Sequence, residues 1–243
     1  HEKKAKLLNS NIFINKQVNS EIRDKIEISL EKNTSNKYFF GKDFNIAKSE
    51  NGFIQYEDGL GELVLPEPSI LGDHQLYNIS TSIAASRKIF NIKDEYIRNG
   101  IKNISLKARL EEIKSGKLKD IAGNNKLVID GGHNISASLS IANWIKNQNE
   151  EANLIVGMMK DKEHVEFIKA FENIVNSITL IDIPNQDGAI SKEDFKKKLD
   201  NSKLNLKLSN GIEESIKSLS KNENTIILCV GSLYLAGEIL SLN

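Results

Sequence analysis

The 243 residues hold 33 Lys plus Arg against 33 Asp plus Glu, a formal net charge of zero. Such a balance argues against a nucleic-acid binder, and no apolar run approaches the ~20 residues that cross a bilayer. The length suffices for one large or two modest domains with their own cores. The lone Cys229, inside "TIILCV", reads as a core thiol of a soluble protein in a reducing, cytoplasmic compartment.

In chain order, "IFIN" at 12–15 predicts a short strand, and Ile22, Ile26, Ile28 and Leu30 predict a helix over 19–32. The short runs "YFF", "FNIA", "GFIQY" and "ELVL" between 37 and 65, broken by Gly, Asp and Asn, predict a small antiparallel meander. "LPEPS" at 65–69 marks a linker or sharp crossing, followed by helices over 75–90 and 93–103. From about 105 the rhythm changes. Strand candidates "LVID" (127–130), "NLIVG" (153–157), "SITLIDI" (177–183), "NLKL" (205–208) and "TIILCVG" (225–231) alternate with helical stretches 134–147, 161–174, 191–200, 211–219 and 232–241. That alternation predicts a Rossmann-like, mostly parallel α/β sheet covered by helices on both faces, with ligands at the carboxyl ends of the strands. The domain boundary is expected near 103–106.

Five stretches carry candidate chemistry. "IDGGHN" at 129–134 brings Asp130 to a strand end, two glycines that admit close approach, His133, and Asn134 as a natural helix N-cap. "GSLYLAGE" at 231–238 delivers Gly231 and Ser232 to a helix N-terminus, where free N–H groups favour an anion. "LGDHQLYN" at 71–78 sets His74, Gln75 and Asn78 among apolar residues. "KARLEEI" at 107–113 holds Arg109 just past the boundary, within reach of phosphate. "GMMKDKEH" at 157–164 reads as a solvated helix start with Asp161 as cap. Each turn taken alone is equally well a helix cap or a surface charge. No G-x-x-x-x-G-K-[ST] or G-x-G-x-x-G occurs, nor any paired cysteines.

Taken in order, "LGDHQLYN", "ARLE", "IDGGHN", "GMMKDK" and "GSLYLAGE" resemble the successive motifs of folylpolyglutamate synthase and dihydrofolate synthase, relatives of the Mur ligases, across the whole chain. The opening "HEKKAKLL" resembles the family's Glu-Lys-Ala-Gly segment, late in its ATPase domain. The resemblance therefore implies that the P-loop, most Mg2+ ligands and the pterin loops lie upstream. Residues 1–104 would be the end of the ATPase domain and 105–243 the glutamate-ligase domain, and the chain alone would be inactive.

The implied reaction is ATP-dependent amide formation. A dihydropteroate or folate carboxylate takes the γ-phosphate, and the amine of L-glutamate displaces phosphate from the acyl phosphate. Residue by residue, the resemblance puts Asn78 on adenine, Arg109 on phosphate and Asp130 on the ribose hydroxyls. It puts His133 near the phosphates or the attacking amine, Ser232 on the glutamate carboxylate, and Lys3 on a lysine near the Mg2+ site that can be carbamylated. It implies small-molecule substrates, no nucleic-acid or membrane partner, and a monomer. The chain departs from the family pattern in having Gly132 for Ala, Lys107–Ala108 for Pro-Gly, and "KKAK" for Ala-Gly-Ile. The competing expectations are another Mur-type amino-acid ligase and a nucleotide-binding module without catalysis.

Overall fold

A computed structural model describes residues 10–17, 19–49, 51–68, 70, 73–199 and 204–243, with the side chains of 73 and 74 outside that set. The chain divides into two compact units, residues 1–69 with 73–105 and residues 70–72 with 106–243.

In the first unit, β1 (Asn11–Ile14) leads through α1 (Ser20–Leu30) to β2 (Asn36–Phe39), which pairs with β1 in parallel, Asn11 opposite Asn36. This corrects the meander expectation for its first run. A strand that returns over a helix arrives in parallel, whereas a meander needs tight hairpins. The remaining runs do form an antiparallel sheet of β3 (Phe44–Lys48), β4 (Ile54–Asp58) and β5 (Gly61–Leu65). Their alternation sends Phe44, Ile46, Ile54, Tyr56, Leu63 and Leu65 to one buried face. Helix α2 (Asp73–Phe90) packs on β3, and α3 (Asp94–Lys102) on β5. The apolar spacing of α1 finds no comparable cover: none of its residues is buried, and Ile22 and Ile28 are exposed.

Within this unit Arg87 of α2 reaches Asp58 at 2.9 Å, both side chains being at most 9% exposed. Its guanidinium also donates to the Gly61 carbonyl at 3.1 Å, and the Tyr56 hydroxyl donates to Asp58 at 2.9 Å. Burial, then the bond to Asp58, raises the Tyr56 hydroxyl above the ordinary tyrosine range.

The second unit is a six-stranded sheet ordered β10-β9-β8-β11-β7-β6, comprising β6 (Glu111–Ile113), β7 (Lys126–Ile129), β8 (Ala152–Val156), β9 (Ser177–Leu180), β10 (Leu206–Leu208) and β11 (Ile226–Val230). All neighbours run parallel except β6, which pairs antiparallel with β7. The central strands β8 and β11 are buried at every position, as the unbroken apolar runs require of a sheet covered twice. On one face lie α5 (Ile135–Lys146), α6 (His164–Lys169) and α7 (Lys192–Lys198), packed on Val128, Leu154, Val156, Leu180 and Leu228. The other face carries α4 (Lys117–Ala122), α8 (Ile212–Leu219) and α9 (Leu233–Leu242) over Leu127, Ile129, Ile155, Ile227 and Cys229. Burial pushes the Cys229 thiol up to about 12, as befits a core residue.

Candidate nucleotide and ligase site

Strand β11 returns from the far side of the sheet to lie between β7 and β8. The helices leaving β7 and β8 cover one face, while the helix leaving β11 covers the other. Such a reversal opens a crevice at the carboxyl ends of the strands. Three of the sequence motifs meet there. The Gly231 N–H donates to the Gly132 carbonyl at 3.0 Å, and the Gly157 N–H to the Val230 carbonyl at 3.3 Å, so the turns after β7, β11 and β8 lie side by side. A Cβ on Gly132 would stand 2.8 Å from both the Ala137 Cβ and an Asp130 oxygen, which is why glycine follows here.

In the first turn Asn134 accepts the Ala137 N–H at 2.9 Å and caps α5. His133, half-buried, has its Nδ1 3.0 Å from the Gly131 carbonyl oxygen. A carbonyl can only accept, so Nδ1 carries the hydrogen and Nε2 of the neutral ring keeps its lone pair for a proton. In the second turn the Ser232 hydroxyl oxygen accepts the Tyr234 N–H at 3.1 Å and caps α9, leaving its O–H to donate; the residue is buried.

Asp130 is also buried, and both of its oxygens hold backbone. Oδ1 accepts the Gly132 N–H at 2.6 Å, and Oδ2 accepts the Leu110 N–H at 2.8 Å. The second bond ties the end of β7 to the loop carrying Arg109, reinforced by the Gly131 N–H donating to the Ala108 carbonyl at 2.9 Å. Arg109 Nη1 bonds that same carbonyl at 3.1 Å and lies 3.2 Å from where a Gly131 Cβ would be. Among the described residues no carboxylate pairs with this guanidinium. Arg109, Asp130, His133 and Ser232 therefore converge at one end of one sheet. Asn78 belongs to the first unit, on α2, where its side chain is exposed. Its amide donates to Gln75 at 3.2 Å and accepts from Asn15 at 2.8 Å. Asn15 also lines a cleft of about 230 Å³ with Lys16, Gln17 and Arg23. Lys3 lies outside the described residues.

The "GMMKDKEH" stretch corrects one expectation. Asp161 caps no helix: α6 begins only at His164, and Asp161 instead pairs with Lys162 at 2.9 Å. The loop is held away from helical geometry by bonds to the turn after β9. The Lys160 N–H donates to the Gly188 carbonyl at 2.8 Å, and its ammonium to the Asp187 carbonyl at 2.9 Å. His164, buried, closes the loop. Its Nε2–H donates to the Met159 carbonyl at 3.0 Å, and its Nδ1 accepts from the Lys198 ammonium at 3.2 Å.

Burial, then the Lys198 charge, holds the His164 imidazole below the ordinary histidine value of 6.5. Because the folded value is the lower one, this contribution is complete above the unfolded value and is lost as pH falls toward and through the folded one. Acidification below about pH 6.5 should therefore destabilise the second unit. In urea titrations followed by the single tryptophan, Trp144, His164→Gln should show a smaller loss between neutral and acidic pH than the parent. An identical loss in both would show that His164 is not the group responsible.

Among the described residues no cluster of three or more His, Cys, Asp or Glu side chains could hold a metal ion. Among the described residues this site offers a guanidinium paired with no carboxylate, two helix N-termini and an imidazole whose Nε2 keeps its lone pair, a set suited to anions and proton transfer. Three contributors escape sequence reasoning. Glu111 closes the "ARLE" stretch but nothing in it marks the residue as a partner of the Ala108 N–H, Asn15 carries no motif, and β6 is too short for periodicity to register.

A family profile described as "Dihydrofolate synthetase, C-terminal domain" matches residues 114–242. The chain belongs to that family. This dihydrofolate synthetase C-terminal domain, with the residues before it, is 21% identical over 232 residues to a probable dihydrofolate synthetase of Schizosaccharomyces pombe, covering 90% of this chain and 54% of that protein. It is 25% identical over 142 residues to a dihydrofolate synthase/folylpolyglutamate synthase of Buchnera aphidicola, covering 56% of this chain and 33% of the relative. In structure it resembles the Mycobacterium tuberculosis folylpolyglutamate synthase complexed with ADP and AMPPCP, with a TM-score of 0.78 at 18% identity over 96% of this chain and 55% of the other. E. coli FolC in complex with DHPP and ADP gives 0.75 at 16% identity over 97% and 54%. These two likenesses bear out the α/β fold. The chain spans about half the length, or less, of these relatives.

No helix among the described residues is long and apolar enough to cross a membrane.

Proposed function

We propose that this chain supplies the glutamate-ligating part of an ATP-dependent amide ligase, which joins L-glutamate to dihydropteroate, to a folylpolyglutamate, or to both. Residues 105–243 act as the glutamate-ligase domain and residues 1–104 as part of the ATPase domain, in a cytoplasmic, monomeric enzyme of small-molecule substrates. The observation that carries this reading is the hydrogen bond between Gly231 and Gly132. It joins the Asp-Gly-Gly-His turn to the Gly-Ser turn at the switch point of a sheet belonging to this family. Solved relatives complexed with ADP, with AMPPNP and Mn, and with L-glutamate support the choice of ligands.

On this reading Asn78 contacts the adenine and Arg109 a phosphate, where a guanidinium offers paired donors. Asp130 accepts the ribose hydroxyls, a role suited to a carboxylate's acceptor-only oxygens. Lys3 stands near the magnesium site, whose ligands this chain mostly does not contribute. Ser232 and the first N–H groups of α9 take a carboxylate of the incoming glutamate. The substrate carboxylate takes the γ-phosphate and ADP leaves. The glutamate nitrogen then attacks the acyl carbon, phosphate departs, and the proton shed by the amine passes to His133 Nε2, which its bond to Gly131 leaves free.

The test is a ligase assay on the intact protein with dihydropteroate and with a reduced folate as acceptors. His133→Ala should lower glutamate-dependent turnover by about 100-fold or more while ATP affinity holds. Turnover unchanged by that substitution would remove His133 from the chemistry. ATP binding without amide formation on either acceptor would remove the ligase.

A further inference from the structure

The loop that carries Arg109 is unusual in its backbone. Ala108 and Leu110, on either side of it, both adopt left-handed conformations, at φ +53° and +47°, which a Cβ disfavours. Two such residues flanking one arginine persist only where surrounding bonds hold them. The bonds that do so come from two carboxylates. Glu111 Oε2 accepts the Ala108 N–H at 2.8 Å, and its Oε1 meets the Lys107 ammonium at 2.8 Å. Asp130 Oδ2 accepts the Leu110 N–H at 2.8 Å while Oδ1 holds Gly132. Both acids are thus engaged by backbone N–H groups or by lysine, and the Arg109 guanidinium, which precedes both in sequence, makes a single backbone bond among the described residues.

We propose that Glu111 and Asp130 are positioning residues, a two-carboxylate clamp that holds the left-handed Ala108–Leu110 loop so that Arg109 stands over Gly131 as an unpaired cation for an anionic phosphate. Electrostatics alone would let either acid neutralise Arg109. The clamp prevents this by giving each carboxylate a backbone N–H to accept. It also gives Asp130 a role independent of any ribose contact. The phosphate as the occupant rests on the function proposed above; the hold on the loop does not.

Two measurements separate these parts. Amide hydrogen exchange on this chain reads the loop, and titration of the intact protein with ATP reads Arg109. Glu111→Ala should speed exchange at Ala108 and weaken ATP binding by about tenfold, the factor set by releasing roughly one residue from a left-handed conformation. Glu111→Gln keeps an acceptor oxygen for the Ala108 N–H and should restore both. Ala108→Gly in the Glu111→Ala background should recover ATP affinity, because glycine adopts the conformation unaided. Asp130→Ala, which removes the acceptor altogether and is read by the exchange of Leu110, is the second and independent measure of the clamp. Unchanged exchange in Glu111→Ala and Asp130→Ala, or faster exchange with ATP affinity intact, overturns the clamp as a positioning device. Unchanged ATP affinity in Arg109→Ala, with the loop freed in the other variants, overturns the phosphate assignment instead.

Discussion

Replacing Arg87 by alanine is expected to cost about 3–5 kcal/mol of stability in the first unit. The guanidinium is buried against Asp58, itself 9% exposed, and against the carbonyls closing the β4–β5 turn. Truncation leaves a buried carboxylate with no cation and, among the described residues, only the Tyr56 hydroxyl and the Leu60 N–H as donors. The penalty is that of an uncompensated charge rather than the worth of the pair, and it predicts a second result. Arg87→Met combined with Asp58→Leu should recover most of the loss, since well-packed apolar replacement of a buried pair is often neutral. Amide exchange across β3–β5 and α2 measures the effect in this unit, which lacks tryptophan among its described residues. A loss below about 1 kcal/mol would mean that water reaches Asp58.

Gly231→Ala should be comparably severe, at about 3–5 kcal/mol, from backbone strain and overpacking together. Gly231 sits at φ +109°, and a Cβ there would come 2.6 Å from the Gly157 carbonyl oxygen and 2.8 Å from Met158 Cγ. The carbonyl is backbone at the end of the buried β8 and cannot swing aside as a side-chain tip would. Relief requires parting the turns after β11 and β8, so the Gly231–Gly132 bond of the candidate site should loosen as well. Gly237→Ala is the control. It lies inside α9 with nothing within 4 Å of the added carbon, and it should stabilise by about 0.5–1 kcal/mol. Urea midpoints followed by Trp144 fluorescence distinguish the two; a Gly231→Ala midpoint at or above that of Gly237→Ala would refute the argument.

Local chemistry was legible wherever a residue acts on its near neighbours. The apolar runs of β7, β8, β9 and β11 could be read because a strand covered on both faces admits few polar residues. Asn134 could be read as a cap because it acts three residues along its own helix. What escaped depends on distant partners. Helix α4 is only six residues long and follows Gly116 as its N-cap, and its first N–H groups are satisfied by Asn243, whose amide oxygen accepts from Leu118 at 3.0 Å across 125 positions. The expected helix over 161–174 shrank to His164–Lys169 because bonds from the turn after β9 claim the loop before it. Ala108 stands where the family resemblance leads one to expect glycine, and the structure gives that position a glycine-like φ of +53°. Departure from a motif therefore preserved the backbone, with strain carried by Glu111 and Asp130.

By itself the sequence determined the alternation of strand and helix, the turn residues at the strand ends, and the kinds of chemistry those turns can offer, because each depends on periodicity and on groups a few residues apart. Only the tertiary structure decided that β11 inserts between β7 and β8, and so which turns meet. It also decided that Asp130 holds Leu110 and that no carboxylate among the described residues pairs with Arg109. Strand order and carboxylate partners are settled by what packs and bonds across 20 to 125 positions of chain, and no local pattern encodes a distance that only the folded backbone creates.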